Sequence, residues 1–496
     1  MGSYLFAVAS GVLYVLGFPG FEIWPLSFVA LLPLLYVLDQ RALSLRRALG
    51  VSFAFGATTQ LLGFHWLVGT LRAFAALPTV LCVLTYVLIC LLQAGQQAGF
   101  AMLVWRAKQN GRDPLLLAPF CFGAVELVYP LLFPNYFAAS VHQVPVLAQS
   151  AELGGPILVS MLLVAVNAAL SAALRPTLGS RRLRALGLAA GLLAVTWGYG
   201  ALRMRQVLAA ASSAPKLRVG IVQANMGTRQ KREDRPEGRR RYLEQSRSLE
   251  LSGAERPELL IWPETAVQYV LPADTKNVSQ VLGPLTTPVL FGGLGHRLTN
   301  GRAQLWNSAF LTDAAAHVLG RSDKMHLIPF AEYVPLGDRV PRLYALLPNS
   351  GQFEAGERPV ALPFRGKRIA ALICYEDVLP GFVRQVVLAT RPHLLVNLSN
   401  DAWFGHSVEP EIHLALSTLR AIEHRLYFVR ASNSGPSVVI DPTGRVLART
   451  RSFERATLQH EVALLAGGTP YTMLGDWPGV LGLLVAAYAA VRWRKG

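Results

Sequence analysis

The chain has 496 residues, 52% of them hydrophobic and only 16% charged, which is too apolar for an ordinary soluble domain and long enough for two domains. Its formal net charge of +17 raises the question of a polyanionic partner. The cations lie between apolar blocks, which points to membrane topology and away from nucleic acid.

In chain order, apolar windows of roughly the length that crosses a bilayer core predict spans at 4–18, 23–38, 51–71, 78–104, 115–132, 157–174, 185–204 and 477–491. About eight spans are expected, the first two being short enough for one hairpin or a tilted pair. Lys and Arg are retained on the cytoplasmic side of short connections. Arg41, Arg46 and Arg47 follow the second span, Arg106, Lys108 and Arg112 the fourth, Arg175, Arg181, Arg182 and Arg184 the sixth, and Arg492, Arg494 and Lys495 end the chain. The loops 17–22 and 133–155 carry no Lys or Arg. Both termini are therefore expected in the cytoplasm, with the long segment after residue 204 exported. These cations, less Asp39 and Asp113, account for about +11 of the net charge. Met1-Gly2-Ser3-Tyr4 lacks a basic region, so the first span is expected to remain as an anchor. Cys82, Cys90 and Cys121 fall inside spans and read as small apolar packing residues. No CxxC or His-rich spacing suggests a metal, and no cofactor is expected.

From residue 217 to 463 short apolar runs separated by Gly, Pro, Asn and Asp replace the long blocks. Strands are predicted at 217–223, 259–262, 289–292, 305–311, 369–374, 394–398, 427–431 and 437–440, and helices at 239–251, 381–388 and 411–423. Asp441-Pro442-Thr443-Gly444 reads as a hairpin turn. Apolar strands alternating with amphipathic helices predict a layered α/β domain. The expected organisation is a helical membrane domain over 1–204, an exported α/β catalytic domain over 205–472, and a final span with a basic tail over 473–496.

Within that domain Cys374 is the one cysteine, in Ile373-Cys374-Tyr375-Glu376 at the end of an apolar run. A thiol near its free pKa of about 8.5 needs a base or a cation to act as a nucleophile. Glu264, in Trp262-Pro263-Glu264 at a predicted strand end, is the candidate base. Lys324, in Lys324-Met325-His326-Leu327-Ile328-Pro329-Phe330-Ala331-Glu332, is the candidate cation for an oxyanion, beside the backbone N–H of Tyr375, and Glu332 is placed to orient it. Taken singly, each has a plainer reading: a structural thiol, a surface carboxylate, solvated loop charges. Their co-occurrence in one domain, each beside apolar residues, separates the two.

The order Glu264, Lys324, Cys374 with these flanks resembles the nitrilase, or carbon-nitrogen hydrolase, superfamily. Seven spans before such a domain and one after it look like the apolipoprotein N-acyltransferase family. The resemblance implies a nitrilase-like αββα sandwich, with Glu264 as base, Lys324 as oxyanion-stabilising lysine and Cys374 as acyl-accepting nucleophile. Glu332 and Glu376 carry over as supporting carboxylates and Tyr375 as part of the nucleophile's turn. Ser399-Asn400-Asp401-Ala402-Trp403-Phe404-Gly405 matches a family loop near the active-site entrance, making Trp403 and Phe404 candidates for its apolar wall. A tryptophan often present in the family after Gln223-Ala224-Asn225 is missing from 226–241.

The implied reaction has two steps. The sn-1 acyl chain of a membrane phospholipid, commonly phosphatidylethanolamine, passes to Cys374 as a thioester. The α-amine of the N-terminal S-diacylglyceryl-cysteine of an apolipoprotein then takes it as an amide. Such an enzyme belongs in the bacterial inner membrane with its site facing the periplasm. The apolar stretch 333–348, with Leu343, Leu346 and Leu347, is expected either as a lid dipping toward lipid or as a buried amphipathic helix. A membrane-tethered amidase using water is the nearest alternative. A transporter with an exported regulatory domain is the other, with Glu126 and His65 as its intramembrane candidates. His326 and His406 lie beside the motifs. Arg430 and Asn433 read either as headgroup ligands or as packing at a sheet edge.

Overall fold

The computed structural model describes residues 2–75, 78–176, 179–227, 230, 233–299, 301–337, 339–346 and 350–491. The chain divides into two compact units: Met1–Val68, Leu77–Gln206 and Thr469–Gly496 form one, Gly69–Ala76 and Val207–Gly468 the other.

The first unit is helical. Among the described residues, Thr79–Gln109, Ala151–Ala173 and Arg181–Ser212 are long and apolar enough to cross a membrane. Shorter apolar helices occupy Gly2–Leu16, Trp24–Asp39, Pro114–Val128 and Trp477–Ala490. The remaining predicted window, 51–71, is shared by Leu45–Gly63 and Leu67–Ala75. Length and composition thus single out three crossings where eight are expected. Punctuation shortens the others: the first helix stops before Gly17-Phe18-Pro19-Gly20, where Gly20 has φ +95°, and Pro114–Val128 stops before Tyr129-Pro130. Arg175 gathers two other connections, its guanidinium meeting both Asp39 oxygens at 2.7 and 2.9 Å and both Asp113 oxygens at 2.8 Å. Glu126 is buried, accepting from the Phe137 N–H and the Ser160 hydroxyl. His65 is exposed and bonds the Leu62 carbonyl. Glu126 therefore ties its helix to the segments carrying Phe137 and Ser160.

The second unit holds two six-stranded sheets. The first, in order β12-β1-β2-β3-β4-β5, uses β1 (Lys216–Gln223), β2 (Leu259–Pro272), β3 (Val289–Thr299), β4 (Arg302–Thr312), β5 (Val318–Asp323) and β12 (Ala456–Ala463). The second, in order β11-β10-β9-β8-β7-β6, uses β6 (Ala361–Phe364), β7 (Lys367–Ile373), β8 (Leu394–Ser399), β9 (Phe428–Ser432), β10 (Val438–Ile440) and β11 (Val446–Arg449). Pairing is parallel at each centre (β1, β2, β3 and β7, β8, β9) and antiparallel outward.

Side chains alternate across a strand, and this alternation builds the layers. Leu217, Val219, Ile221, Leu259 and Ile261 pack with Ile369, Ala371, Ile373, Leu394 and Val396 in one core between the sheets. The opposite faces take helices: Leu260 and Trp262 meet α1 (Arg235–Glu250) through Tyr242 and Leu249. Ala370, Leu372 and Leu395 pack with α2 (Pro380–Thr390) and with α3 (Glu409–His424). The result is the αββα sandwich. β5, β6, β11 and β12 are not predicted; β11 is four residues long, edge-lying and mostly exposed. The predicted hairpin turn is present between β10 and β11, with Gly444 at φ +84°.

Candidate active site

Cys374 lies one residue beyond β7, a correction to the predicted strand 369–374. It opens a 3-10 turn, Cys374–Val378, with φ +53°. A left-handed non-glycine residue costs on the order of 1 kcal/mol or more and needs surroundings that hold it. Here the turn cancels the strand alternation: Ile373 and Cys374 are consecutive yet both reach the core between the sheets. Glu376 holds the turn from one side. Its Oε2 accepts from the Ile373 N–H at 2.8 Å, and its Oε1 accepts from the Met325 and His326 N–H groups at 2.6 and 3.1 Å. One buried carboxylate thus bolts the lysine loop to the end of β7. Burial raises its pKa to about 7, against the three N–H donors and the Lys324 charge, which pull it down.

Glu264 does not end its strand as expected. β2 continues to Pro272, but its register with β3 breaks between Trp262 and Val267, and Thr265 has φ +46°. Gly292 of β3 makes room for this irregularity: a Cβ there would lie 2.6 Å from the Glu264 Cα. Glu264 is 6% exposed, and its Oε1 accepts from Asn307 Nδ2 at 2.7 Å. Lys324 follows β5 and is 1% exposed. Its Nζ donates to Glu332 Oε1 at 2.8 Å and lies 3.6 Å from Glu264 Oε1. Glu332 Oε2 in turn accepts from the Ile328 N–H at 2.9 Å.

Burial works against the charge on Lys324, but Glu332, the Cys374 sulfur and Glu264 outweigh it and keep the amine protonated, its pKa above the usual range. Burial also pushes the Cys374 thiol well above its ordinary value; Glu264 pushes the same way, and Lys324 pulls back. Glu264, Lys324, Glu332 and Cys374 therefore form one electrostatic unit, with Glu376 beside it. Tyr375 is half-buried against the same core. The arrangement has the parts for acyl transfer: a thiol, a carboxylate to take its proton, and a fixed cation for the oxyanion.

The remaining candidates are less concentrated. Trp403 and Phe404 are half-buried in a 3-10 turn, Asp401–Phe404, after β8. Leu343 and Leu346 belong to a five-residue helix, Arg342–Leu346, and Leu347 lies outside the described residues. Leu343 is half-buried, while Phe330, Leu336 and Val340 are 52, 65 and 46% exposed. That stretch is not a deeply buried core helix. His326 and His406 are exposed, edge-on to Phe382 and tilted against Phe453 respectively. Arg430 is fully buried on β9, between β8 and β10, so neither the headgroup nor the sheet-edge reading holds. Asn433 is likewise buried, bridging the Met226 backbone to Asn400.

Sequence reasoning missed Asn307, which bonds both Glu264 and, at 3.3 Å, Glu332. It also missed Asn397, which donates to the Cys374 carbonyl at 3.0 Å. The available signal in each case was an amide inside a strand of otherwise apolar character.

Residues 10–169 match the family model described as the apolipoprotein N-acyltransferase N-terminal domain, and residues 218–468 match that of carbon-nitrogen hydrolase. A Geobacter metallireducens protein named apolipoprotein N-acyltransferase is 31% identical, the alignment covering 99% of this chain and 95% of its own. One of the same name from Azotobacter vinelandii is 34% identical, again over 99% and 95%. Among solved structures, Saccharomyces cerevisiae Nit3, a nitrilase-superfamily member, is 15% identical over 50% of this chain and 90% of its own, with a TM-score of 0.39.

Proposed function

The chain belongs to the apolipoprotein N-acyltransferase family and is an acyltransferase of lipoprotein biosynthesis; from that premise we propose that it moves one acyl chain in two steps through Cys374. The observation that carries this reading is the left-handed turn that sends Cys374 into the same electrostatic unit as Glu264 and Lys324.

In the first step the sulfur attacks the sn-1 ester carbonyl of a phospholipid, phosphatidylethanolamine being the expected donor. Because burial disfavours a standing thiolate, the proton passes to Glu264 as the S–C bond forms. Lys324 and the Tyr375 N–H meet the oxyanion. Collapse breaks the ester C–O bond, and the lysophospholipid leaves with the proton held by Glu264. In the second step the α-amine of a diacylglyceryl-cysteine attacks the thioester, Glu264 takes its proton, an amide forms, and the sulfur recovers the proton as it leaves. Glu332 orients Lys324, Glu376 fixes the turn, and Trp403 and Phe404 keep water from the thioester.

Both substrates are lipids in a membrane, and exposing an acyl chain to water costs about 0.8 kcal/mol per CH₂. The first unit therefore sits in the bacterial inner membrane and crosses it about eight times, with both termini in the cytoplasm and residues 205–472 in the periplasm. The convergence of Asp39, Asp113 and Arg175 supports this topology, since these connections are the ones expected inside. The exposed Leu336 and Val340 support a lid over 333–348 that dips toward lipid.

The test is product analysis with purified protein, phosphatidylethanolamine and a diacylglyceryl lipopeptide. N-acylated lipopeptide and lysophospholipid in equal amounts are expected. Release of free fatty acid with no amide would replace this reading with a hydrolase.

A further inference from the structure

The residue after Glu376 faces a second buried network. Asp377 Oδ1 lies 2.6 Å from His413 Nε2, and its Oδ2 accepts from the Ser417 hydroxyl at 2.7 Å and from Arg430 Nη1 at 3.3 Å. Asp401, which opens the turn carrying Trp403 and Phe404, is held on both oxygens by Arg430 Nη2 at 3.0 and 2.9 Å. The Ser399 and Ser432 hydroxyls donate to the same two oxygens at 2.7 and 2.9 Å. Arg430 Nη2 also lies 3.1 Å from His413 Nδ1. Asp377, Asp401 and Arg430 are all 0% exposed, and His413 is 5% exposed.

Burying two carboxylates and a guanidinium is costly, and apolar residues of the same volume serve packing at least as well. What apolar residues lack is direction. A planar guanidinium presents fixed N–H groups to more than one acceptor at once. Here it joins the Cys374–Val378 turn to the Asp401–Phe404 turn. Adjacent carboxylates thus hold the nucleophile's turn by two separate anchorages: Glu376 to the lysine loop, Asp377 to Arg430. Gly435 shows how closely the network is enclosed, since a Cβ there would lie 1.8 Å from Asp401 Oδ2.

We propose that Arg430 is a positioning residue: by clamping Asp377 to Asp401 it fixes the turn that aims Cys374 and sets the segment bearing Trp403 and Phe404 relative to it. The proposal rests on Cys374 being the nucleophile. It assigns Arg430 no contact with substrate, so its loss slows the chemical step and leaves the apparent KM for phospholipid alone.

The experiment compares Arg430→Lys, Arg430→Met and the charge-free Asp377→Asn/Asp401→Asn/Arg430→Met in the full-length protein. Three rates are read: Cys374 alkylation by iodoacetamide, acyl-adduct formation from phosphatidylethanolamine, and adduct release by a lipopeptide amine. A displacement of about 1 Å at a reacting atom costs roughly a hundredfold. Arg430→Met and the triple variant are each expected to form adduct about a hundredfold more slowly. Arg430→Lys, which keeps the charge but not the fork, is expected to be about tenfold slower, with KM within about twofold of the parent. A folded triple variant that acylates at the parent rate would reduce Arg430 to a packing role and overturn the proposal. Should Arg430→Met and the triple variant fail to fold, parent rates in Arg430→Lys overturn it equally. If the parent protein forms no adduct, the Cys374 reading fails by itself; changed iodoacetamide rates in the Arg430 variants would then still support positioning, and unchanged rates would sink it.

Discussion

Two buried polar clusters flank the Cys374 turn, and each sets two carboxylates around one cation. Toward β2 and β5, Glu264 and Glu332 share Lys324, and all three act electrostatically on the Cys374 sulfur. Toward β9 and α3, Asp377 and Asp401 share Arg430, every carboxylate oxygen has a donor or a close histidine nitrogen, and Asp401 acts on the sulfur less strongly than Glu264, Lys324 or Glu332. The first uses an ammonium, a point charge held by Glu332; the second uses a planar fork that joins two turns. On the proposed reading one cluster sets the reactivity of the thiol, and the other sets where it points.

The largest effects should come from removing charge in the first cluster at constant shape. Glu264→Gln is expected to slow acyl-adduct formation by about 10³, and Lys324→Met by 10² to 10³, measured in single turnover. Gly292→Ala adds no charge but forces a Cβ against the Glu264 backbone. It should slow acylation by about a hundredfold and change the rate of Cys374 alkylation as well, because the group that takes the thiol's proton is displaced. Glu332→Gln keeps an acceptor for Lys324 and is expected to cost only about tenfold.

The smallest effect is on stability. Glu376 has its pKa raised by burial from 4.5 to about 7, so the native state binds its proton more tightly than the unfolded chain does. Its contribution is present below about pH 4.5 and fades as pH rises through 7. Denaturation between those pH values should show a downward slope that Glu376→Gln flattens. An unchanged slope in that variant would assign the pH dependence to another group.

The first cluster was legible in the sequence because its members stand in motifs at the ends of apolar runs, where a carboxylate, an ammonium and a thiol are out of place unless used together. The second was only half legible. Arg430 sits inside Phe428-Val429-Arg430-Ala431, a strand whose neighbours are apolar, but nothing local says which carboxylates it meets, since Asp377 and Asp401 lie 53 and 29 residues away. Cys374 read as the last residue of a strand because Ile369 to Ile373 continue the pattern up to it; a left-handed φ on a non-glycine residue leaves no mark in composition. Strands β5 and β11 went unseen for another reason: β5 mixes Gly, Arg, Ser and Asp into its six residues, β11 is four residues long, and both are edge strands. The helical windows were plain by hydropathy, whereas their lengths depended on where glycine and proline stop each helix.

Intact-mass measurement of the purified protein after incubation with phosphatidylethanolamine tests the role of Cys374 most directly. One acyl chain is expected on the parent protein, located to the peptide containing Cys374, stable without acceptor, removed by a lipopeptide amine, and absent as a thioester from Cys374→Ser. A Cys374→Ser protein that N-acylates the lipopeptide at the parent rate, or a parent protein that does so without ever carrying the chain, would contradict it.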